Sequence, residues 1–378
     1  MSKLDIVLFG ATGFTGSLAA KYLSRVPGLR WAVAGRSPAK LDALRATLEG
    51  SASPPSQGIV ASPSSEPFDG IKVANAAAVV LSTAGPFSLY SDVLVRCCAT
   101  SGAAYVDING EVPWVRRVVD RDQGAAAASG SIIVPNCGFD SVPSDLGAFL
   151  AARKAPGRPL EGHATMKGAM SGGTISTGIL MSETFPGDVA NTCLLGGDPA
   201  HVNPDVTAPR PPTASRPYWT SAFGMALINT RVVRRSAVLL DYGAGFGYDE
   251  YAVAPSEAVA KKMVKNAAVP PDVLRSLVDR GRLFAPGDGP DEATRAESSF
   301  ALDVVLADSN EVLASVSGGD PGYDETAKMV SEAALALADA PARSALQNGG
   351  QGGVFTPAAA FGDVLVDRLR AAGLRFDA

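Results

Sequence analysis

The stretch Leu4-Asp-Ile-Val-Leu-Phe9-Gly10-Ala11-Thr12-Gly13-Phe14-Thr15-Gly16 decides the fold. An apolar run of β-formers passes straight into a Gly-x-x-Gly-x-x-Gly turn. An amphipathic segment follows, with Leu18, Tyr22 and Leu23 on one helical face. Strand, glycine turn and helix in this order open a dinucleotide-binding βαβ unit. Gly10 lets the chain leave the strand sharply, Gly13 removes the side chain that would block a pyrophosphate, and Gly16 lets the helix lie close to the sheet. The unpaired amides and positive end of the helix then face the phosphates, which makes Gly10, Ala11, Thr12, Gly13, Phe14, Thr15 and Gly16 candidate cofactor ligands.

A second strand over 30–34 follows at βαβ spacing and ends in Gly35-Arg36. No acid stands where a ribose-binding carboxylate would be expected. A guanidinium at that place can grip a 2′-phosphate in fork geometry, so Arg36 points to NADP(H) as cofactor. The plainer alternative for Arg36 is a solvated surface arginine.

With 378 residues, 46% of them hydrophobic, the chain can bury a large core in two domains. A net charge of −5 excludes the basic footprint of a nucleic-acid binder. Cys97, Cys98, Cys137 and Cys193 form no metal-ligand spacing, and the two histidines, His163 and His201, are too few for a histidine-rich centre. No metal is expected. The N-terminal apolar run is too short for a signal peptide, and no apolar stretch is long enough to span a bilayer. A cytoplasmic protein is expected, with contact at the inner face of a membrane and a homodimer both left open.

Further along, Ser37-Pro38 reads as a helix cap with proline in the first turn. Strands are expected over 58–60, 77–82, 104–108 and 131–134, with helices over 93–99 and 114–128 between them. The loop after the fourth strand, Ser82-Thr83-Ala84-Gly85-Pro86, should lie at the carboxyl edge where strand order reverses, beside the nicotinamide ribose. Glu111 either borders the site or is a solvated loop acid. After the sixth strand, the turn bearing Asp140 and Ser141 should sit near the nicotinamide; both read either as groups that orient the carboxamide or substrate or as mere caps of the helix that follows, for which Ser144 and Asp145 also read as cap residues. A Pro-Gly segment over 156–159 marks the boundary of a second domain. That domain is read to hold a strand over 162–169, a helix opened by Ser171-Gly-Gly-Thr174, a lid or wrapping loop over 185–218, a strand over 248–253, a helix over 256–268, and a hairpin of 299–306 with 312–316. Arg231, Arg234 and Arg235 read either as a solvated basic face or as a patch for the phosphate of coenzyme A or a carrier-bound substrate. Met166, Met170, Met181 and Met225 read as ordinary core or as the wall of an acyl channel. Helices over 325–338 and 360–371 complete the chain.

The motifs Gly10-Ala-Thr-Gly-Phe-Thr-Gly16, Ala34-Gly-Arg36, Ser82-Thr-Ala-Gly-Pro-Phe87, Tyr105-Val-Asp-Ile-Asn-Gly-Glu111, Cys137-Gly-Phe-Asp-Ser-Val-Pro-Ser-Asp145 and Asp320-Pro-Gly-Tyr323 occur in that order. The chain thereby resembles the saccharopine dehydrogenase-like oxidoreductases, in the branch of the trans-acting enoyl reductases that serve polyketide synthases. The resemblance implies an α/β fold: an N-terminal Rossmann doubly wound parallel sheet with an inserted α+β domain containing a mixed sheet. Residues 1–155 would be the NADP-binding domain, 156–320 the substrate domain, and 321–378 helices returning to the first domain. Ser91 departs from the family pattern, which has glycine after the tyrosine at position 90.

The activity implied is NADPH-dependent reduction of an α,β-unsaturated acyl thioester, with a polyketide synthase or acyl carrier protein as partner. Asp140, Ser141, Thr174 and Tyr323 are the candidate catalytic residues. No tyrosine has lysine four residues later, so the short-chain dehydrogenase pair is absent. Two rival readings stand: reductive amination of the saccharopine type, which needs convergent Arg or Lys side chains such as Arg231, Arg234 and Arg235, and a silent scaffold that binds lipid or partners.

Overall fold

A computed structural model describes residues 3–64, 66–168, 171–203, 208–267, 269–285 and 287–378. The first six strands are β1 (Leu4–Phe9), β2 (Trp31–Gly35), β3 (Gly58–Val60), β4 (Ala77–Ser82), β5 (Ala104–Asp107) and β6 (Ile132–Val134). Then come β7 (Leu160–Lys167), β8 (Trp219–Ser221), β9 (Tyr248–Ala254), β10 (Ser299–Leu306), β11 (Val312–Gly318), β12 (Gly353–Val354) and β13 (Arg375–Asp377). One sheet has the order β12-β6-β5-β4-β1-β2-β3 and is parallel throughout. Its central strands are apolar on both faces: Ile6, Val7, Leu8, Val79, Val80 and Leu81 are all inaccessible to solvent. Such runs suit a sheet covered by helices on both sides.

The glycine turn works as its spacing implies. Gly10 has φ +81°, and a Cβ at Gly16 would lie 2.2 Å from the Gly10 carbonyl oxygen. Only glycine permits the helix Phe14–Leu23 to start that close to the strand end.

The second sheet has the order β13-β11-β10-β7-β9-β8 and is mixed: β7 and β9 run parallel, the other pairs antiparallel. The helix Val142–Lys154 leads from the first sheet and packs under the second. Its cap is Ser141, not Ser144 or Asp145; those two are buried in its first turn and reach distant parts of the chain. Ser144 donates to Glu250 on β9, and Asp145 accepts from Ser236 and from the Ala358 amide. The segment 321–378 supplies one strand to each sheet, since β12 extends the first and β13 pairs with β11. The expected helix over 360–371 is broken at Gly362 (φ +51°) into Pro357–Phe361 and Asp363–Ala371. The helix Pro67–Ala76, absent from the sequence reading, covers β4. Positions 169 and 268, the expected ends of a strand and a helix, and Met170 lie outside the described residues. Met181 and Met225 are core; Met166 is partly exposed on β7.

Burial raises three carboxyls in this framework: Asp107 to about 6, and Asp145 and Glu250 to about 7. The folded chain therefore holds protons that the unfolded chain has already released between about pH 4 and pH 7, and each group's contribution to stability falls as pH rises through that window. Glu250 accepts from Ser144, Tyr248 and Asn229, so Glu250→Gln retains most of the shape while removing the titration. In urea titrations the wild type should lose stability relative to Glu250→Gln between pH 5 and pH 8, by on the order of 2–3 kcal/mol.

Candidate active site

A cleft of about 840 Å³ runs along the carboxyl edge of the first sheet and is roofed by the second domain. At its nucleotide end lie Gly10, Thr12, Gly13, Phe14, Thr15 and Gly16. Ser17 donates the first intrahelical bond, to the Gly13 carbonyl, so the preceding amides of the helix are the unpaired donors of its N-terminus. Gly13 caps that helix with no side chain in the way. Ala11, expected to touch cofactor, is fully buried behind the turn. Arg36 is exposed on the cleft wall with Lys40, and its guanidinium lies over the Tyr90 ring, 5.3 Å from the centroid. These residues fit a pyrophosphate on the helix end and an extra phosphate beside Arg36.

The loop after β4 is locked to the glycine turn. The Thr83 hydroxyl donates to the Gly10 carbonyl (3.1 Å), and the Thr83 amide to the Phe9 carbonyl (2.9 Å). Thr83, Ala84, Gly85 and Pro86 line the cleft. Ser82 does not: it is buried, 3.0 Å from the Ser91 hydroxyl, and it accepts from the Ala84 amide. Ser91 also donates to the Ala84 carbonyl, so the departure from glycine at this position fastens the loop from behind.

Glu111 is neither a site acid nor a solvated one. It is buried, and its carboxylate accepts from the Phe87 and Ser88 amides at the end of the same loop. Asp107 accepts from Tyr105, from the Asn109 amide and side chain, and from the Asn136 amide; Asn109 accepts from the Glu111 amide. Asp107, Asn109 and Glu111 thus form one buried chain that joins the ends of β4, β5 and β6. The sequence reading missed Asp107, Asn109 and Asn136. The signal was polar residues at every second position at the end of an apolar strand, all on one side of the extended chain.

Asp140 opens into the cleft, and the Thr326 hydroxyl holds its turn by accepting from the Phe139 amide. Ser141 does not reach the cleft: it is fully buried and its Oγ has no partner. From the second domain, Thr174 lines the opposite wall. Ser171 caps its helix, accepting from the Thr174 amide, and the two hydroxyls lie 2.9 Å apart. Tyr323 lines the cleft but its hydroxyl is committed, donating to the Asp288 carbonyl (2.9 Å) and accepting from the Gly172 amide. Its ring packs edge-on against Phe14, 4.7 Å between centroids. Tyr323 is therefore a clasp between the glycine turn and the second domain rather than a free donor.

The arginines of the helix Ala226–Leu240 match neither sequence reading. Arg231 and Arg234 are buried. Arg231 donates to the Val189 carbonyl, and Arg234 to the Thr192 and Tyr248 carbonyls and to Asp249. They hold the wrapping segment 185–218 against the helix. Arg235 donates to the Val354 carbonyl, and burial lowers its pKa to about 10. None of the three lines the cleft. Among the described residues no group of three or more His, Cys, Asp or Glu could hold a metal, and no helix is long and apolar enough to cross a membrane.

Comparison with known proteins agrees with this geometry. Residues 6–134 match the family model of the saccharopine dehydrogenase NADP binding domain. Over 98% of this chain and 96% of its own length, a Mycobacterium tuberculosis (strain H37Rv) protein provisionally named a trans-acting enoyl reductase is 36% identical. The trans-acting enoyl reductase of Mycobacterium ulcerans is 32% identical over 98% of this chain and 97% of its own. Among solved structures, apo saccharopine dehydrogenase (L-Glu forming) from Saccharomyces cerevisiae aligns over 98% of this chain and 99% of its own, with a TM-score of 0.55 at 12% identity, a likeness of fold.

Arg36→Ala should weaken NADPH binding by about tenfold to a hundredfold, the worth of a charge-assisted hydrogen bond, while NADH binding stays within about threefold. Titrating nucleotide fluorescence against both proteins measures this.

Proposed function

The chain belongs to the saccharopine dehydrogenase-like oxidoreductases, in the trans-acting enoyl reductase branch, and is an NADP-dependent oxidoreductase; from that premise we propose that it reduces the carbon–carbon double bond of an α,β-unsaturated acyl thioester. One observation carries this reading: the substrate end of the cleft offers no cation. Among the described lining residues the cationic side chains are Arg36 and Lys40, both at the nucleotide end, whereas the second domain presents Ser171, Thr174, Ser176, Thr177 and Asp288, and the facing wall adds Thr326 and Asp140. A substrate bearing several carboxylates would meet repulsion there. A thioester is neutral at its reacting carbons.

NADPH, when bound, supplies the electron pair as hydride to the β-carbon; the protein's share is position and charge. Negative charge then gathers on the thioester oxygen, and a fixed donor aimed at it stabilises the enolate. We assign that role to the Thr174 hydroxyl, which lines the cleft beside the Ser171 cap at the start of its helix. The saccharopine-type alternative loses its recognition residues, since Arg231, Arg234 and Arg235 are engaged inside the protein. The acyl group would arrive on coenzyme A or on a carrier protein of a polyketide synthase; the relatives are named for acting in trans, which fits a substrate carried by a separate protein.

With a butenoyl thioester, NADPH absorbance should fall; with amino acid plus oxo acid it should not. Thr174→Val should lower kcat about a hundredfold with NADPH affinity unchanged. Oxidation only with the amino acid pair would reverse the assignment.

A further inference from the structure

The other carboxyls at the carboxyl edge of the first sheet have partners inside the protein: Asp107 accepts from Asn109 and Asn136, Glu111 from the Phe87 and Ser88 amides, and Asp145 from Ser236 and the Ala358 amide. Asp140 has none. No hydrogen bond or ion pair reaches its carboxyl group among the described residues, although it stands on the cleft wall. The apolar side chain of Ile228 stands beside it. A Cβ at Gly110 would lie 3.3 Å from Asp140 Oδ2 and 2.8 Å from the Ile228 methyl, so the carboxyl sits in the gap that glycine leaves beside Ile228. An unpartnered acid held against apolar groups favours its neutral, proton-bearing form.

We infer that Asp140 is the catalytic acid that delivers the proton to the α-carbon of the substrate, a role that rests on the enoyl thioester reading. Once the β-carbon has taken hydride from NADPH, leaving NADP⁺, the former double-bond pair resides on the α-carbon and thioester oxygen as an enolate. The α-carbon takes the proton of the Asp140 carboxyl: a C–H bond forms, the O–H bond breaks, and its electron pair stays on the carboxylate. Water entering the open cleft restores the proton. The three other residues read from the sequence as catalytic fail on placement or acidity. Ser141 is walled off, Tyr323 donates to the Asp288 carbonyl, and Thr174 is an alcohol, suited to hydrogen-bond an oxyanion but too weak to surrender its proton.

Burial alone pushes Asp140 up to about 7, with no charged neighbour bearing on it, which places its titration near neutral pH as a general acid requires. The reaction run in deuterium oxide with wild type, Asp140→Asn and Asp140→Glu tests the inference. Wild type should place one deuterium on one face of the α-carbon, and its kcat should fall above about pH 7. Asp140→Asn should lower kcat at least about a hundredfold, lose the basic limb and the facial preference, and bind NADPH within twofold of wild type. Asp140→Glu should recover part of the rate. An Asn variant within threefold of wild type, with the same limb and the same labelled face, overturns the inference alone. Wild type that binds NADPH and reduces no enoyl thioester overturns the parent reading and this inference with it.

Discussion

A backbone contact sets the geometry of the whole site: the helix Phe14–Leu23 starts so near the end of β1 that the Gly10 carbonyl lies 2.2 Å from where a Cβ of residue 16 would stand. Because that approach is so close, the helix amides and its positive end are fixed relative to the sheet, and no loop motion is needed to aim them. The loop after β4 shares the constraint. A Cβ at Gly10 would meet the Ala84 amide nitrogen at 2.8 Å, and the Thr83 hydroxyl already bonds the Gly10 carbonyl. Two loops from strands adjacent in the sheet but far apart in sequence are thus pressed into one rigid floor.

Polar groups behind that floor and in front of it obey different rules. Behind it, the buried acids and amides are partnered: Asp107, Asn109, Glu111 and Asn136 pass hydrogen bonds from β4 to β6, and Ser82 and Ser91 hold the loop between them. A half-satisfied network there would cost more than an apolar one, which is why acids that look functional in sequence are structural. In front of it, two charged groups are left spare. Among the described residues, Arg36 keeps its guanidinium over the Tyr90 ring with no acid paired to it, and the Asp140 carboxyl has no donor. Groups left short of partners at a cleft are the ones a ligand completes.

The second domain closes the cleft through aromatic and backbone contacts, and Arg295 adds an ion pair to Asp324. Tyr323 packs edge-on against Phe14, the Arg295 guanidinium lies over the Phe14 ring, 5.5 Å from its centroid, and the Tyr323 hydroxyl spans the Asp288 carbonyl and the Gly172 amide. The helix Gly172–Thr184, which carries Thr174, is therefore registered to the glycine turn itself. Arg231 and Arg234, buried and tied to main-chain carbonyls, keep the long segment over 185–218 attached without surrendering charge to the cleft. The result is a cleft positive at the nucleotide end and neutral to acidic at the other, a polarity suited to a phosphorylated cofactor at the glycine turn.

What the sequence alone determined was whatever its neighbours along the chain could determine. The strand, glycine turn and helix, the absence of an acid at Arg36, the proline-assisted cap at Ser37, the Ser171 cap and the β10–β11 hairpin all depend on residues within a few positions of one another. Only the tertiary structure decided the fate of the polar side chains, because their partners come from far away: Asp145 meets the Ala358 amide 213 residues on, and Ser144 meets Glu250 106 residues on. Ser144 and Asp145 could be read as caps, Arg231 as an anion patch and Tyr323 as a free donor for the same reason. A hydrogen-bonding group declares its chemistry in sequence, but whether that capacity is spent or spare depends on what the fold brings against it.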